Sequence, residues 1–377
     1  MSSLGSSAAK VLAPVAEARV SATSVADEVA SIARKDLAPL ADAIDAGTHY
    51  PEALLRRFGS AGAFRSHVPR DGEADLRCAI QSMAAIGQVC GATAFMAWCQ
   101  DTLVWYAANS NNPKLVAKFA ADFAGGKTLG GTGLSNPMKS FFGIEKLKLK
   151  GSKVDGGYLV RGALPWVSNL GPDHFFGTIF EREDQPGEIV MFLADCANPG
   201  ITLKPCKPFL AMDGTNTYGV QFREAFVPDE QILADPAGPF VRRIRAGFIL
   251  LQAGMAIGVI RDCINIMGEV EAPLGHINRY LPQQPVHFDE LLFELERETM
   301  ALARDPFSPD ETYWRKVVAL RLRAGDASVA AAHAAMLHCG ARGYLKSHRA
   351  QRRLREAYFV AIVTPATKQL RKMLADA

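Results

Sequence analysis

Hydrophobic and polar positions along the chain follow a helical period, then a strand period, then a helical period again. In the first third, Val25, Val29 and Ile32 fall on one face of an amphipathic helix. The apolar run 80–106 is typical of helices that are buried on several faces. The last third is helical in pattern too, apart from a loop with proline and glycine over 272–285.

Between these regions, from about Gly125, polar and apolar residues alternate. Lys146–Lys150 alternates lysine with leucine, the pattern of a half-buried strand. Asp155–Gly157 predicts a tight hairpin turn, because glycine adopts positive φ without steric cost. Further strands are predicted at 175–180, 189–193, 201–203 and 219–222. Short strands separated by turns indicate an antiparallel sandwich or barrel.

The order helical, all-β, helical predicts an α+β protein. We expect an N-terminal helical domain over 1–125, a central antiparallel β-barrel or sandwich over 126–232, and a C-terminal four-helix bundle over 233–377. The longest apolar stretch, 246–260, predicts a buried core helix, because it is too short to span a membrane and Gln252 interrupts it.

Composition and charge exclude several functional classes. The 377 residues are 49% hydrophobic and 21% charged, as in an ordinary soluble globular protein. A net charge of +3 is too small to favour nucleic acid or a membrane surface as a partner. The seven cysteines are scattered and never form CxxC, which argues against zinc and favours buried, reduced thiols in a cytoplasmic protein. Met1–Lys10 lacks the apolar core of a secretory signal.

Several short motifs follow one another in a fixed order. They are Tyr50-Pro51-Glu52, Leu134-Ser135-Asn136-Pro137, Trp166-Val167-Ser168-Asn169, Val220-Gln221-Phe222 with Val227-Pro228, Gly340-Ala341-Arg342-Gly343-Tyr344 and Leu354-Arg355-Glu356-Ala357. In this order they resemble the Pro-Glu, Leu-Thr-Glu-Pro, Trp-Ile-Thr-Asn, Val-x-Phe…Val-Pro, Gly-Gly-x-Gly-Tyr and Arg-Asp-Ala motifs of the acyl-CoA dehydrogenase superfamily. The resemblance covers nearly the whole chain.

The resemblance implies a flavoprotein with FAD, or FMN as the alternative. Trp166 would supply a flat apolar wall for the isoalloxazine ring, and the Ser168 hydroxyl a donor near N5, where hydride arrives. Ser135 and the backbone at Leu134 would hydrogen-bond the pyrimidine side of the ring. From the residues alone, Trp166 could equally be a core residue of the sandwich, and Ser168 could cap a turn.

Further candidate binding residues lie in the helical regions. Gly340 and Gly343 would let the backbone approach a cofactor pyrophosphate closely; otherwise they mark a helix boundary. Arg245 stands where the family carries an arginine near the thioester or CoA; the alternative is a helix-start residue that faces solvent.

Two polar features allow two interpretations each. The basic stretch 346–355 is expected to be a solvated helix face, with the alternative that Arg342 or Arg349 reaches a phosphate of flavin or CoA. Gln100 and Asp101, on an otherwise apolar segment, could line a cavity or belong to a polar helix end.

The first departure from the family pattern concerns the base. The family usually removes the α-proton with a glutamate in Tyr-Glu-Gly-Thr, and this position falls here on Thr364 or Pro365, neither of which can act as a base. Some members place the glutamate beside the helix-start arginine, but residue 244 is Ile244, and the only carboxylate over 241–263 is Asp262. No residue is therefore assigned as catalytic.

The second departure concerns the cofactor. Members carry Arg-x-x-Phe-Gly, whose arginine and phenylalanine contact the flavin adenine and pyrophosphate of a neighbouring subunit. That motif is absent from 267–284, although Arg279 could partly substitute for its arginine.

The favoured prediction is a flavin-dependent dehydrogenase of an acyl thioester, with another residue or water as base. It would couple α-deprotonation to β-hydride transfer to N5 and pass electrons to an electron-transferring flavoprotein. A flavin-dependent monooxygenase of the same fold is the alternative, since it needs no carboxylate at that position. A catalytically inactive homologue is the third hypothesis. The family also implies a homo-oligomer, a dimer or tetramer, with two subunits sharing each flavin site.

Overall fold

The computed structural model describes residues 22–70 and 72–376, so the prediction for Met1–Lys10 lies outside the described residues. The N-terminal helices are α1 (Ala22–Ile32), α2 (Ala41–Asp45), α3 (Glu52–Ser60), α4 (Arg77–Gly87), α5 (Gly91–Ala108), α6 (Pro113–Leu115) and α7 (Ala121–Ala124). Val29 and Ile32 of α1 are buried, which confirms the predicted amphipathic helix, and Leu55 and Phe58 of α3 are buried as well. The run 80–106 forms α4 and α5, which are buried on several faces, as predicted.

A mixed sheet of eight strands occupies the middle of the chain. Its strands are β1 (Gly130–Thr132), β2 (Leu149–Val154), β3 (Gly157–Val167), β4 (Phe175–Arg182), β5 (Ile189–Asp195), β6 (Ile201–Pro205), β7 (Tyr218–Pro228) and β8 (Ile232–Ala234). A short helix, α8 (Ser135–Phe141), follows β1. The strand order is β6-β7-β3-β2-β4-β5-β8, with β1 beside β4. The hairpin at Gly156 (φ 74°) joins β2 and β3, as predicted.

Two details of the sheet differ from the prediction. Both β1 and β2 pair with β4 in parallel, so the sheet is only predominantly antiparallel. The predicted strand Lys146–Lys150 begins only at Leu149. The Asn136 side chain donates to the Lys146 carbonyl (2.9 Å) and accepts from the Lys148 amide (2.9 Å), which removes these backbone groups from strand pairing.

The C-terminal third is helical. Its helices are α9 (Gly238–Leu250), α10 (Ala253–Glu269), α11 (Glu271–Asn278), α12 (Pro285–Leu302), α13 (Glu311–Cys339), α14 (Arg349–Ile362) and α15 (Thr367–Ala375). Helices α10, α12, α13 and α14 pack against one another as the predicted four-helix bundle. The N-terminal and C-terminal helices share one hydrophobic core, and the sheet encloses a second one. The order helical, sheet, helical confirms the predicted α+β class.

Two predictions for this third need correction. The predicted loop over 272–285 contains α11, which tolerates Pro273 because it lies in the first helical turn. The apolar stretch Ala246–Ile260 is buried throughout, as predicted, but a turn at Leu251–Gln252 divides it between α9 and α10. Within the described residues, Gly238–Glu269 is long and apolar enough to cross a membrane, yet 89% of its most apolar window is buried inside the protein.

The basic stretch of α14 is not the solvated face that its composition predicts. Arg353 is fully buried and forms ion pairs with Asp262 of α10 and Glu356 of α14, both at 2.6 Å. Arg355 pairs with Asp45 of α2 at 2.6 Å. The arginines face inward because carboxylates on other helices meet them, and charge counting along one helix cannot detect such partners.

The substitution Arg353→Met should destabilise the protein by about 3–5 kcal/mol, because it leaves two buried carboxylates without this partner. Arg323→Met is the matched control, since Arg323 pairs with Glu298 at 2.6 Å on the exposed side of α13. The control should lose less than about 1 kcal/mol. Urea unfolding of both variants measures the two losses, and equal losses would contradict the structural role of Arg353.

Gln100 and Asp101 are both buried, and neither belongs to a polar helix end. The Gln100 amide nitrogen donates to the carbonyls of Phe123 (2.9 Å) and Thr128 (3.0 Å), and its oxygen accepts from the Gly130 amide (2.9 Å), so it joins α5 to β1. Nε2 of His67 lies 3.0 Å from the Asp101 carbonyl oxygen. Burial raises the pKa of the Asp101 carboxyl well above its ordinary value and lowers the pKa of His67 to about 4.

These shifts predict how stability depends on pH. Between about pH 4 and 6.5, the folded pair holds one proton on Asp101, and the unfolded chain holds one on His67, so the pair leaves stability unchanged. Above about pH 6.5 the unfolded chain has released its proton, and the raised pKa of Asp101 makes the folded state hold its proton to higher pH than the unfolded chain does. Stability should therefore fall with rising pH, by up to about 1.4 kcal/mol per pH unit from this pair.

Asp101→Asn tests this assignment by urea unfolding across the same pH range. The variant should lose the fall above pH 6.5, and it should instead lose stability as the pH falls below 6.5, because only the buried neutral His67 then contributes. An identical pH profile in both proteins would contradict a protonated Asp101.

Candidate active site

One group of predicted site residues meets at the end of β1. Leu134 and Ser135 follow this strand and begin α8, and the Ser135 hydroxyl hydrogen-bonds the Thr364 hydroxyl at 3.0 Å. Thr364 lies just beyond α14, and its carbonyl accepts from the Gln252 side-chain amide at 2.8 Å. Ser135 and Thr364 are both half-buried, so this contact is accessible from solvent.

The end of β3 lies beside the same point. A Cβ at Gly131 would collide with the Ser168 carbonyl oxygen, and a Cβ at Gly133 would come within 3.1 Å of the Leu164 side chain. Trp166 exposes 57% of its surface, so it is not a core residue of the sheet. The Ser168 hydroxyl is buried and hydrogen-bonds the Thr217 hydroxyl at 2.6 Å. The structure thus brings Leu134, Ser135, Trp166 and Ser168 to one end of the sheet.

A buried arginine, Arg321, holds the groups that position Thr364. Arg321 of α13 is 1% exposed; its Nε donates to the Gln252 side-chain oxygen at 2.6 Å, and its guanidinium also donates to the Val360 carbonyl. That carbonyl lies in the last turn of α14, where the helix dipole favours positive charge. Burial lowers the pKa of Arg321 to about 10, which leaves it charged at neutral pH.

The hydrogen-bond partners of Ser135 and Thr364 are hydroxyl and amide groups. A hydroxyl pair can orient a substrate or exchange a hydrogen bond with it, but it cannot hold the α-proton as a carboxylate does. Asp262, the carboxylate noted over 241–263, is ion-paired with Arg353 at 2.6 Å and with Arg349 at 3.1 Å. Asp262 therefore stabilises the packing of the helical bundle and is not assigned as the base.

The other predicted site residues lie elsewhere. Gly340 ends α13 with φ 58°, a conformation that favours glycine, and Gly343 packs so closely against Cys339 that a Cβ would lie 2.9 Å from that side chain. Since α13 rises about 1.5 Å per residue, Gly340 lies roughly 28 Å along the helix from Arg321. Gly340 and Gly343 therefore form a second group, well separated from the Ser135–Thr364 contact.

The predicted arginines are engaged by neighbouring side chains. Arg245 pairs with Glu311 at 2.6 Å and lies 4.2 Å over the Trp314 ring. Arg349 pairs with Glu269 at 2.7 Å. Arg279 is exposed and contacts Tyr280, its neighbour in the chain.

Sequence reasoning missed Gln252 and Arg321 as parts of this site. Gln252 had a detectable signal, because it is the lone polar residue in the apolar stretch 246–260. Arg321 had none, since it is one of several basic residues on a long amphipathic helix. Thr364 was located only as the place where a glutamate was expected.

Comparisons with known proteins agree with this architecture. Residues 21–127 match the family model of the acyl-CoA dehydrogenase N-terminal domain. The benzylmalonyl-CoA dehydrogenase of Aromatoleum aromaticum is 23% identical over 93% of this chain and 96% of that protein. An acyl-CoA dehydrogenase of Bacillus subtilis is 24% identical over 92% of this chain and 94% of its own length.

Solved structures extend the likeness to the fold. Butyryl-CoA dehydrogenase from Megasphaera elsdenii superposes with a TM-score of 0.82 at 15% identity, over 94% of this chain and 97% of that one. PigA with FAD and proline gives a TM-score of 0.80 at 13% identity, over 96% and 98%. The matches in sequence and in fold support membership of the acyl-CoA dehydrogenase superfamily.

Proposed function

We propose that the protein is an FAD-dependent oxidoreductase that dehydrogenates an acyl thioester between its α and β carbons. The observation that carries this proposal is that an exposed planar side chain, Trp166, lies at the same end of the sheet as the half-buried, hydrogen-bonded hydroxyls of Ser135 and Thr364. Relatives over nearly the whole length of the chain are dehydrogenases of acyl-CoA substrates by name, which supports this reaction class.

The residues at this end of the sheet fit a flavin. When bound, FAD supplies the acceptor for the hydride that leaves the β carbon. Trp166 offers a flat apolar surface of the kind that stacks on a ring. The half-buried Ser135 hydroxyl offers a polar contact beside that surface, and the Ser168 hydroxyl, which bonds Thr217, lies at the same end of the sheet.

The acidic α-proton needs an acceptor other than a glutamate at position 364. We assign Thr364 and Ser135 to orienting the substrate, and we place the proton on water or on a group of the substrate itself. Arg321 does not contact Thr364; it positions the Thr364 carbonyl through Gln252 and the end of α14 through the Val360 carbonyl.

We further propose a homo-oligomer, a dimer or tetramer, in which two subunits complete each cofactor site. The roughly 28 Å between Arg321 and Gly340 along α13 supports this, because the two groups of predicted cofactor residues are well separated within one subunit. Large exposed apolar side chains just after α11, on α12 and in the turn after α13 offer a contact surface: Tyr280 is 76%, Phe293 68% and Tyr344 85% exposed. An electron-transferring flavoprotein would then reoxidise the enzyme. We place the protein in the cytoplasm, because free cysteines stay reduced in that compartment.

The visible spectrum of the protein purified without added cofactor tests the flavin site. We expect bound FAD, and we expect Trp166→Ala to weaken FAD binding about tenfold, because a ring contact contributes about 1.5 kcal/mol. Equilibrium titration of the apoprotein with FAD measures both affinities.

Phe226→Ala is the matched control for Trp166→Ala. Phe226 is an exposed aromatic residue of the same sheet, and it pairs across β3 with Leu159, roughly 23 Å along the strand from Trp166. It should bind FAD like the wild type. A protein that stays colourless after incubation with FAD and FMN would overturn the flavin site and leave an inactive homologue as the explanation.

Thr364→Glu tests the missing base. A carboxylate at this position should accelerate reduction of the bound flavin by butyryl-CoA by about 10²–10⁴-fold, the usual contribution of a positioned general base. Anaerobic stopped-flow bleaching of the flavin measures the rate. Thr364→Gln, which has the same shape without the charge, is the control and should stay at the wild-type rate.

A flavin-dependent monooxygenase is the second candidate, and the hydroxyl pair at Ser135 and Thr364 favours it, because that chemistry needs no carboxylate there. It predicts that no acyl thioester bleaches the flavin in either the wild type or Thr364→Glu. It also predicts oxygen-dependent turnover of an aromatic or amine substrate once the flavin is reduced.

A further inference from the structure

A row of buried hydroxyl groups runs inward from Ser168. The Ser168 hydroxyl lies 2.6 Å from the Thr217 hydroxyl, which in turn lies 2.9 Å from the Thr215 hydroxyl. The Thr215 hydroxyl donates to the Met212 carbonyl at 2.9 Å. Ser168, Thr217 and Thr215 are all buried, and we call them the hydroxyl chain.

The inner end of the hydroxyl chain sets the direction of every hydrogen bond in it. A carbonyl oxygen only accepts, and a hydroxyl has a single proton to donate. Because Thr215 gives its proton to the Met212 carbonyl, Thr217 is the donor in its contact with Thr215. Ser168 is then the donor in its contact with Thr217. The Ser168 hydroxyl therefore presents only lone pairs to any further group, and it can only accept a hydrogen bond from that group.

The Met212 carbonyl, at which the hydroxyl chain ends, is held firmly in place. Met212 is buried and has φ 65°, a left-handed conformation that a non-glycine residue keeps only where its surroundings hold it. Its amide donates to the Asp45 carboxylate at 3.1 Å, and Asp45 is ion-paired with Arg355 at 2.6 Å. The Thr215 amide also donates to the Met212 carbonyl, at 3.2 Å. The direction of the hydroxyl chain is therefore set by a fixed backbone acceptor.

This direction matters for the cofactor, because Ser168 lies at the end of the sheet proposed for the flavin, two residues beyond the exposed Trp166. It differs from the donor role that the sequence predicts for Ser168. N5 of an oxidised isoalloxazine ring carries no hydrogen and accepts, whereas N5 of the reduced ring carries a hydrogen and donates. A serine that only accepts matches the reduced ring. To donate to the oxidised ring, Ser168 needs the whole hydroxyl chain to reverse, and Thr215 then loses its bond to the Met212 carbonyl.

We propose that the hydroxyl chain favours reduced over oxidised FAD in this site and thereby raises the reduction potential of the bound cofactor. This inference rests on the proposed function, and it names a device by which the same site favours acceptance of the hydride. The reduced state has one hydrogen bond more than the oxidised state, which contributes up to about tenfold to the ratio of the two affinities. For a two-electron couple, a tenfold ratio corresponds to about 30 mV.

The reduction potential of FAD bound to the holoenzyme, measured by anaerobic spectroelectrochemistry, tests this proposal. Thr215→Val removes the bond to the Met212 carbonyl and leaves Ser168 itself unchanged. Thr217 is then free to donate to Ser168, which releases the Ser168 proton for the oxidised flavin. The affinity ratio should change about tenfold, so the potential should become about 30 mV more negative. Thr215→Ser, which keeps the hydroxyl, should retain the wild-type potential.

Further variants separate the hydroxyl chain from the general effect of losing a buried hydroxyl. Thr299→Val is the matched control, since Thr299 is also buried and donates to the Leu295 carbonyl at 2.6 Å in α12; it should leave the potential unchanged. In a Ser168→Ala background, Thr215→Val should have no effect, because the chain acts on the flavin only through Ser168. If Thr215→Val does not fold, Thr217→Val, which detaches Ser168 from the chain, should shift the potential in the same direction.

The outcomes distinguish this inference from the proposed function. An unchanged potential in Thr215→Val and Thr217→Val, or an equal shift when Thr215→Val is made in the Ser168→Ala background, would overturn the hydroxyl chain as a control of the potential, while the flavin site itself stands. If the wild type binds neither FAD nor FMN, the proposed function fails, and this inference fails with it.

Discussion

The burial of Arg353 is the constraint on which the arrangement of the helices depends. Its guanidinium pairs with Asp262 of α10 and Glu356 of α14 and donates to the carbonyls of Gly87 and Gln88, between α4 and α5. Glu356 in turn accepts from the amide of Gly91, the first residue of α5, at 3.0 Å. A buried charge is costly unless its hydrogen-bonding groups are satisfied, so none of these helices can shift without exposing an unpaired charge. The N-terminal and C-terminal helices are held as one body for this reason.

The position of the site follows from that frame. Helix α14 is fixed near its start by Arg353 and Glu356, and near its end by Arg321, which donates to the Val360 carbonyl. The chain leaves the helix two residues before Thr364, so the location of Thr364 is determined by contacts that lie within the bundle. Ser135 reaches the same place from the sheet, because Gln100 ties the start of β1 to α5. The site is therefore the junction of two separately anchored segments.

The predictable features of this protein are those that depend on neighbours along the chain. The period of α1, the apolar run of α4 and α5 and the Gly156 hairpin are local properties, and the structure has them where the sequence indicates. Features that depend on distant partners were misjudged: the arginines of α14 look like a solvated face until Asp262 and Asp45 are placed beside them. The strand predicted at Lys146 is shortened by Asn136, which no alternation pattern contains. In the site, motif order located Ser135 and Trp166, whereas Gln252 and Arg321 act through helices distant in sequence, and neither stands in a recognisable motif.

The way in which Thr364 is held shows how the fold can persist with different side chains at this position. Gln252 binds the Thr364 backbone carbonyl, not its side chain, and the following residue, Pro365, has no amide hydrogen to place. The contacts that hold the backbone at position 364 therefore place almost no requirement on its side chain. Ser135 contributes a single hydroxyl contact there, which a water molecule or a substrate group can replace. Thr364 is held by its backbone and is half-buried, so its side chain can be replaced to suit a different reaction. Arg353 is held by its side chain, so its replacement would disrupt the packing of the helices.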